Sequence, residues 1–169
     1  MNTSREKERF VSLIKENKRI IFKVIYSYCR DAEDRKDLEQ EVIIQLWKSL
    51  KTYNDAFKLS TWIYRITLNV AISHYRKDHK RLKTNTYIDE EIFRIAEDQS
   101  DEEYKDRTEL LYQFINKLDD FNKAIIILYL DDNSYKDISE ILGITESNVG
   151  TKISRIKKQL KESFSQLNN

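Results

Sequence analysis

Residues 134–160, SYKDISEILGITESNVGTKISRIKKQL, read as two short helices meeting at a steep angle. Ile138, Leu142, Ile144 and Val149 have the spacing by which such a pair buries its inner faces. Gly143 stands between them, where the turn wants a residue that tolerates a left-handed backbone. Ser139 is small, as close helix approach requires. Thr145 is placed to cap the second helix, and Glu146 brings negative charge to its first turn. A helix of this kind enters the major groove of DNA by its N-terminal end. Ser147, Asn148, Thr151, Lys152 and Arg155 fall on its outward side, and Lys157, Lys158 and Lys161 extend the basic surface. Hydroxyls and amides bridge base edges, while Lys and Arg attract phosphates or pair with guanine. A plain helical hairpin with a solvated lysine face is the duller alternative. Gly143 at the turn and the basic second helix argue against it, although the motif by itself says only DNA binding.

Outward from this motif the pattern stays helical. Leu110, Leu111, Phe114, Ile115 and Leu118 share one helix face, and residues 121–130 form a nearly continuous apolar helix with Ala124, Ile125, Ile127 and Leu128 buried. Asp131-Asp132-Asn133-Ser134 breaks it, and helices over 135–142 and 145–167 follow. With 2 Gly and no Pro in 169 residues, the chain lacks the turn chemistry of sheets. The expected fold is all-α: two small helical domains, 1–81 and 109–169, joined by an acidic linker over 82–108.

The net charge of +1 hides a segregation: residues 1–81 carry 18 Lys and Arg against 11 Asp and Glu, whereas residues 82–108 carry 4 against 9. Asp89, Glu90, Glu91, Glu97, Asp98, Asp101, Glu102 and Glu103 dominate the linker. Its one apolar patch, Ile88, Ile92, Phe93 and Ile95, is too small to order it well, although a marginal helix docked on a neighbour stays open. Cys29 is the sole cysteine, read as a core residue of a chain kept in a reducing, cytosolic compartment. No apolar run approaches the roughly 18 residues of a membrane span, so no direct membrane insertion is expected. The charged N-terminus does not read as a secretory signal.

In the N-terminal half the periodicity predicts a first helix over 6–30, with Phe10, Leu13, Ile14, Asn17, Ile21, Val24, Ile25 and Tyr28 on one face. A second covers 34–50, with Leu38, Val42, Leu46 and Leu50 inward and Asp34 and Asp37 in its first turn. A third begins at Ser60 or Thr61, either a reasonable N-cap, and runs to about residue 80. Tyr53, Asn54, Asp55, Ala56, Phe57 and Lys58 have no helical face and read as a loop. Asp37, Gln40, Glu41 and Gln45 line one side of the second helix, either as a solvated face or as a dock for an arginine-bearing helix. On the third helix Trp62 and Ile66 read as core. Arg65, Asn69 and the cluster Arg76, Lys77, Lys80 and Arg81 are the candidates for holding unstacked bases.

Three runs in this order, DLEQEVIIQLW at 37–47, TWIYRITLN at 61–69 and the C-terminal helix-turn-helix, make the chain resemble the extracytoplasmic-function (ECF) group of the sigma-70 family over almost its whole length. The resemblance implies an alternative sigma factor, not an enzyme, with no cofactor and no metal. Its partners would be bacterial core RNA polymerase, through the β′ clamp helices and the β flap, promoter DNA, and an anti-sigma factor. Asp37, Gln40, Glu41 and Gln45 would face the clamp helices. Tyr53, Asn54, Asp55, Phe57, Lys58, Arg65, Asn69, Arg76 and Lys77 would serve the minus-ten element as its strands part, with one base flipped into the loop. Ser147, Asn148, Thr151, Lys152, Arg155 and Lys158 would read the minus-thirty-five duplex. The linker would thread towards the polymerase active centre. Ser139 departs from the usual alanine, and the loop lacks the glycine often found there. Gly150 stands in the recognition helix where a polar or basic residue is common, at a cost of about 1 kcal/mol relative to Ala, leaving room for the backbone of DNA.

The competing reading is a conventional helix-turn-helix regulator that binds duplex DNA as a dimer on paired half-sites. Enzyme classes fare worse. Gly143 and Gly150 cannot build a phosphate-cradling loop, and His74 and His79 have only Asp78 near them as a metal ligand.

Overall fold

A computed structural model describes residues 3–82 and 102–167, and among them it shows eight α-helices and no strand. They fall into two compact units divided after Leu82. The acidic segment over 83–101, with its Ile88, Ile92, Phe93 and Ile95 patch, lies outside the described residues.

The first unit comprises α1 (Thr3–Glu16), α2 (Lys18–Tyr28), α3 (Ala32–Ser49), a 3-10 turn (Leu50–Thr52) and α4 (Leu59–Leu82). The single helix expected over 6–30 is broken at Asn17, whose φ of −110° and ψ of 13° leave the helical region. Its side-chain amide donates to the Leu13 carbonyl at 2.9 Å, the local competition with backbone bonding that makes Asn a poor helix-interior residue. The one polar member of that face is thus a joint. Asp31 caps α3 by accepting from the Glu33 and Asp34 amides at 2.9 and 3.0 Å. Helix α4 starts at Leu59, before the expected caps, with the Trp62 amide donating to the Lys58 carbonyl at 3.1 Å. Thr61 is therefore not a cap: it is buried inside the first turn.

Helix α4 packs on both α2 and α3. Val24 and Ile25, Leu38, Val42 and Leu46, and Ile63, Leu68 and Ala71 form the core, while Phe10 meets Trp47 edge-on at 5.0 Å. Thr67 is fully buried in this core, and its Oγ1 has no hydrogen-bond partner. An orphaned buried hydroxyl costs about 1–3 kcal/mol, whereas an apolar group of similar shape carries no such penalty. Thr67→Val should therefore stabilise the chain by about 1 kcal/mol in urea denaturation; a midpoint at or below that of the wild type would show that the hydroxyl is satisfied in solution.

The second unit comprises α5 (Glu102–Lys117), α6 (Asp120–Leu130), α7 (Tyr135–Leu142) and α8 (Glu146–Leu167). Helix α5 begins at Glu102, seven residues before the expected domain start at 109. Asp119 caps α6, whose Ala124, Ile125, Ile127 and Leu128 are buried as expected, together with Ile126 and Lys123. Ser134 and Asp137 form a reciprocal capping box at the start of α7. Gly143 ends α7 in the left-handed region, at φ 69° and ψ 34°. Thr145 accepts the Asn148 amide at 3.1 Å and so caps α8. The inner faces close through Ile138, Ile141, Val149, Ile153 and Ile156. Ile141 occupies the inward place expected of Leu142, which with Ile144 is only half-buried.

Candidate partner and nucleic-acid interfaces

Burying Leu38, Val42 and Leu46 turns the opposite side of α3 to solvent. Asp37, Gln40 and Glu41 are exposed there and Gln45 is half-buried. Beside them stands Ile44, 50% exposed. Positions 37, 40, 41 and 44 form one stripe at helical spacing, so this face joins acidic and amide groups to an exposed apolar residue that the sequence pattern did not single out.

The loop after α3 folds back on α4. Tyr53 donates from its hydroxyl to the Phe57 carbonyl at 3.2 Å, and Asn54 accepts the Ala56 amide at 3.2 Å, two bonds that shape the turn. The Tyr53 ring lies 5.1 Å from that of Trp62, and the Arg65 guanidinium stands 5.2 Å from the Phe57 ring, which is 39% exposed. Asp55 and Lys58 are exposed as well. Trp62 and Ile66, expected in the core, are half-exposed; the buried stripe of α4 is Ile63, Tyr64, Thr67, Leu68 and Ala71. Trp62, Arg65, Ile66, Asn69, Ser73, Arg76 and Lys77 therefore share the open side of α4, with Asn69, Arg76 and Lys77 exposed. Aromatic faces at one end, an amide in the middle and cations at the other make a surface able to stack and neutralise a single strand. The side chains of Lys80 and Arg81 lie outside the described residues. His74 Nδ1 lies 3.2 Å from Asp78 Oδ2 on the same helix. Burial pushes the Cys29 thiol up to about 11, which suits an inert core residue.

On α8, Ser147, Asn148, Thr151, Arg155 and Lys158 are exposed together. The Thr151 hydroxyl donates to the Ser147 carbonyl at 3.0 Å, which fixes its rotamer and leaves its oxygen lone pairs available. Lys152 does not join them: it is half-buried, its ammonium 5.5 Å from the Phe121 ring on the flank of the helix. The space beside Gly150 is not open either, since the Tyr135 ring comes within 3.4 Å of where a Cβ would stand.

The Sigma-70 region 2 family model matches residues 13–81 and the Sigma-70 region 4 model matches residues 108–160. The sigma factor YlaC of Bacillus subtilis is 30% identical over 148 residues, covering 85% of each chain. The ECF sigma factor SigW of the same organism is 28% identical over 175 residues, covering 93% of this chain and 91% of that one. Among solved structures, CnrH in complex with the cytosolic domain of CnrY has a TM-score of 0.67 at 16% identity, covering 95% of this chain and 90% of that one. The sigma factor RpoE in complex with the anti-sigma factor NepR, from Bartonella quintana, has a TM-score of 0.66 at 17% identity, covering 96% and 98%. At those identities the structural likeness is one of fold. No helix among the described residues is long and apolar enough to cross a membrane. With both regions matched in order, and a relative 30% identical along most of its length, the chain belongs to the sigma-70 family of RNA polymerase sigma factors, in its extracytoplasmic-function group.

Proposed function

We propose that this chain acts in the cytoplasm as a non-enzymatic specificity subunit, binding core RNA polymerase, choosing promoters and starting their melting. The observation that carries the reading is the pairing of two nucleic-acid surfaces of different chemistry in one chain. One is the polar recognition face of α8, suited to duplex DNA. The other is the aromatic and amide side of α4, suited to unpaired bases. A regulator that binds only duplex DNA has no use for the second.

In this reading Asp37, Gln40, Glu41 and Gln45 meet the clamp helices of the β′ subunit, and the second unit meets the β flap. Tyr53, Asn54, Asp55, Phe57, Lys58, Arg65, Asn69, Arg76 and Lys77 hold the minus-ten strand. Ser147, Asn148, Thr151, Arg155 and Lys158 read the minus-thirty-five duplex, with Lys152 reaching a phosphate from the flank. Domains 1–81 and 109–169 divide these tasks across the acidic linker. An anti-sigma factor would inhibit by covering the polymerase-binding faces.

The deciding experiment is co-elution of the full chain with bacterial core polymerase on a sizing column. The wild type should co-elute stoichiometrically, and Glu41→Lys should bind about tenfold more weakly, a deficit that shrinks as salt screens the reversed charge. A chain that ignores core and binds duplex DNA alone as a dimer would instead be a conventional helix-turn-helix regulator. Asn69→Ala should slow open-complex formation several-fold while sparing initial binding, read by permanganate reactivity of unpaired thymines; equal reactivity at equal times would remove Asn69 from the melted strand.

A further inference from the structure

The flank of α8 opposite Lys152 carries a cluster that the reading above leaves unused. Its members come from three helices. Lys157 of α8 donates from Nζ to Tyr129 Oη, at the end of α6, over 2.6 Å. Tyr135, the first residue of α7, places its ring 6.3 Å from that of Tyr129 and lays its edge against Gly150. At 100° per residue Gly150 and Lys157 lie within about 20° of each other, and Gly150 is about 60° round the helix from Ser147. The cluster thus borders the outward face of α8. Lys157 and Tyr135 are both exposed.

The chemistry of the group selects an anion. Tyr129 Oη accepts a hydrogen from the ammonium, so its own hydrogen is left to donate outward, beside the two remaining on Lys157. That hydrogen bond also raises the Lys157 pKa and keeps the ammonium charged. Among the described residues no carboxylate is paired with it. Oriented N–H and O–H donors side by side on the rim of a recognition helix suit the two unesterified oxygens of a backbone phosphate.

Resting on the duplex-reading role of α8, we propose that Lys157 and Tyr129 clamp a backbone phosphate of the promoter duplex beside the bases that α8 reads, with Gly150 as the positioning residue. By lacking a side chain, Gly150 lets the Tyr135 ring fill the space next to Tyr129 and hold the clamp's wall. A methyl group at this position would sit 3.4 and 3.7 Å from the ring, ordinary contact, whereas a longer side chain aimed the same way would meet the ring. The recognition helix thus gives up one direct side-chain contact and gains a two-donor contact assembled from its neighbours.

The test uses holoenzyme reconstituted from core polymerase and the full chain, on a promoter duplex selected by the wild-type holoenzyme from a randomised library. Lys157→Gln should weaken binding about fivefold and lower the slope of log K against log salt by about 0.9, equally for every sequence, as loss of one phosphate contact requires. Tyr129→Phe, which keeps the ring, should weaken binding about threefold with the slope unchanged, because it removes a donor and no charge. Gly150→Ala should bind as the wild type does and Gly150→Leu about threefold more weakly, provided both melt where the wild type does. Arg155→Ala serves as the control on the outward face. Weakened binding by Arg155→Ala with wild-type affinity and slope for Lys157→Gln overturns the clamp and leaves the recognition helix standing. Wild-type binding by both overturns the duplex-reading role itself. If Lys157→Gln spares promoter binding but weakens co-elution with core, the cluster faces polymerase and the clamp is wrong.

Discussion

Replacing Lys123 by methionine should stabilise the chain by about 2 kcal/mol at pH 7 and remove a rise in stability that the wild type shows between pH 8 and 10.5. Lys123 is 1% exposed on the inner side of α6, among Ala124, Ile127 and Leu128, with its Nζ 3.4 Å from Asn116 Oδ1. Burial pushes its ammonium down from 10.5 to about 8, and Asp120 offsets only part of that. The folded-state pKa lies below the unfolded one, so between them the unfolded chain binds more protons and stability climbs with pH. Below about 8 the full cost of burying the charge is present, and above 10.5 it is gone. The interval corresponds to roughly 3 kcal/mol. Methionine keeps the length of the side chain and drops the charge; among the contacts it gives up is the weak hydrogen bond to Asn116, which is only half-buried and can turn to water. Urea denaturation followed by circular dichroism at pH 7 and pH 10 reads both effects, and the difference between wild type and variant isolates Lys123 from the other titrating groups. An equal pH response in the two proteins would mean that Lys123 reaches solvent.

Where the fold was legible in the sequence, local chemistry and burial agreed. The helix-turn-helix is the clearest case: Gly143 and Thr145 each have one task, and the structure gives each of them that task, while Ser134, which read only as part of a polar break, proves to be a cap as well. Errors fell where two local readings competed and packing chose. Asn17 satisfied the helical spacing of its face, yet its side-chain amide bonds the Leu13 carbonyl one turn back and the helix breaks there. Ser60 and Thr61 look like caps, but residues 59–71 have so strong an apolar pattern that the helix starts earlier and Thr61 enters the core. The start of α5 was hidden by acidic residues that resemble the linker before them.

The candidate interfaces were legible as residue types more than as directions. Asn69, Glu41 and Arg155 stand exposed where the sequence put them. Lys152 obeys the periodicity closely enough to be counted outward, but it sits at the edge of the outward arc, where Phe121 of a different helix offers its ring. Trp62 looked like core because tryptophan usually is. Only the return of the loop, which brings Tyr53 against one side of the indole, shows that it is shared between core and surface. The role of Gly150 depends on Tyr135, fifteen residues earlier in the sequence, and no spacing rule connects the two.

Ile44 is the most consequential residue that periodicity missed, because Val42-Ile43-Ile44 is a run of three apolar residues and a helix can turn only part of it inward. Val42 is fully buried, Ile43 half-buried and Ile44 50% exposed, on the same stripe as Asp37, Gln40 and Glu41 and one turn beyond them. If that face docks on polymerase, Ile44 is its apolar anchor, and covering its exposed half is worth about 1 kcal/mol. Ile44→Ala should then weaken core binding about fivefold. Ile44→Asp should weaken it about a hundredfold, since it also buries an unpaired carboxylate in the contact, and each factor of ten is about 1.4 kcal/mol. Neither change should disturb folding by more than about 0.5 kcal/mol, because the side chain is half in water already. The Ile44 deficits should persist at high salt while that of Glu41→Lys fades, which separates an apolar anchor from charge steering. Competition binding to core polymerase across a salt series measures all three variants. Wild-type affinity for Ile44→Asp would place the polymerase contact on another face of the first unit.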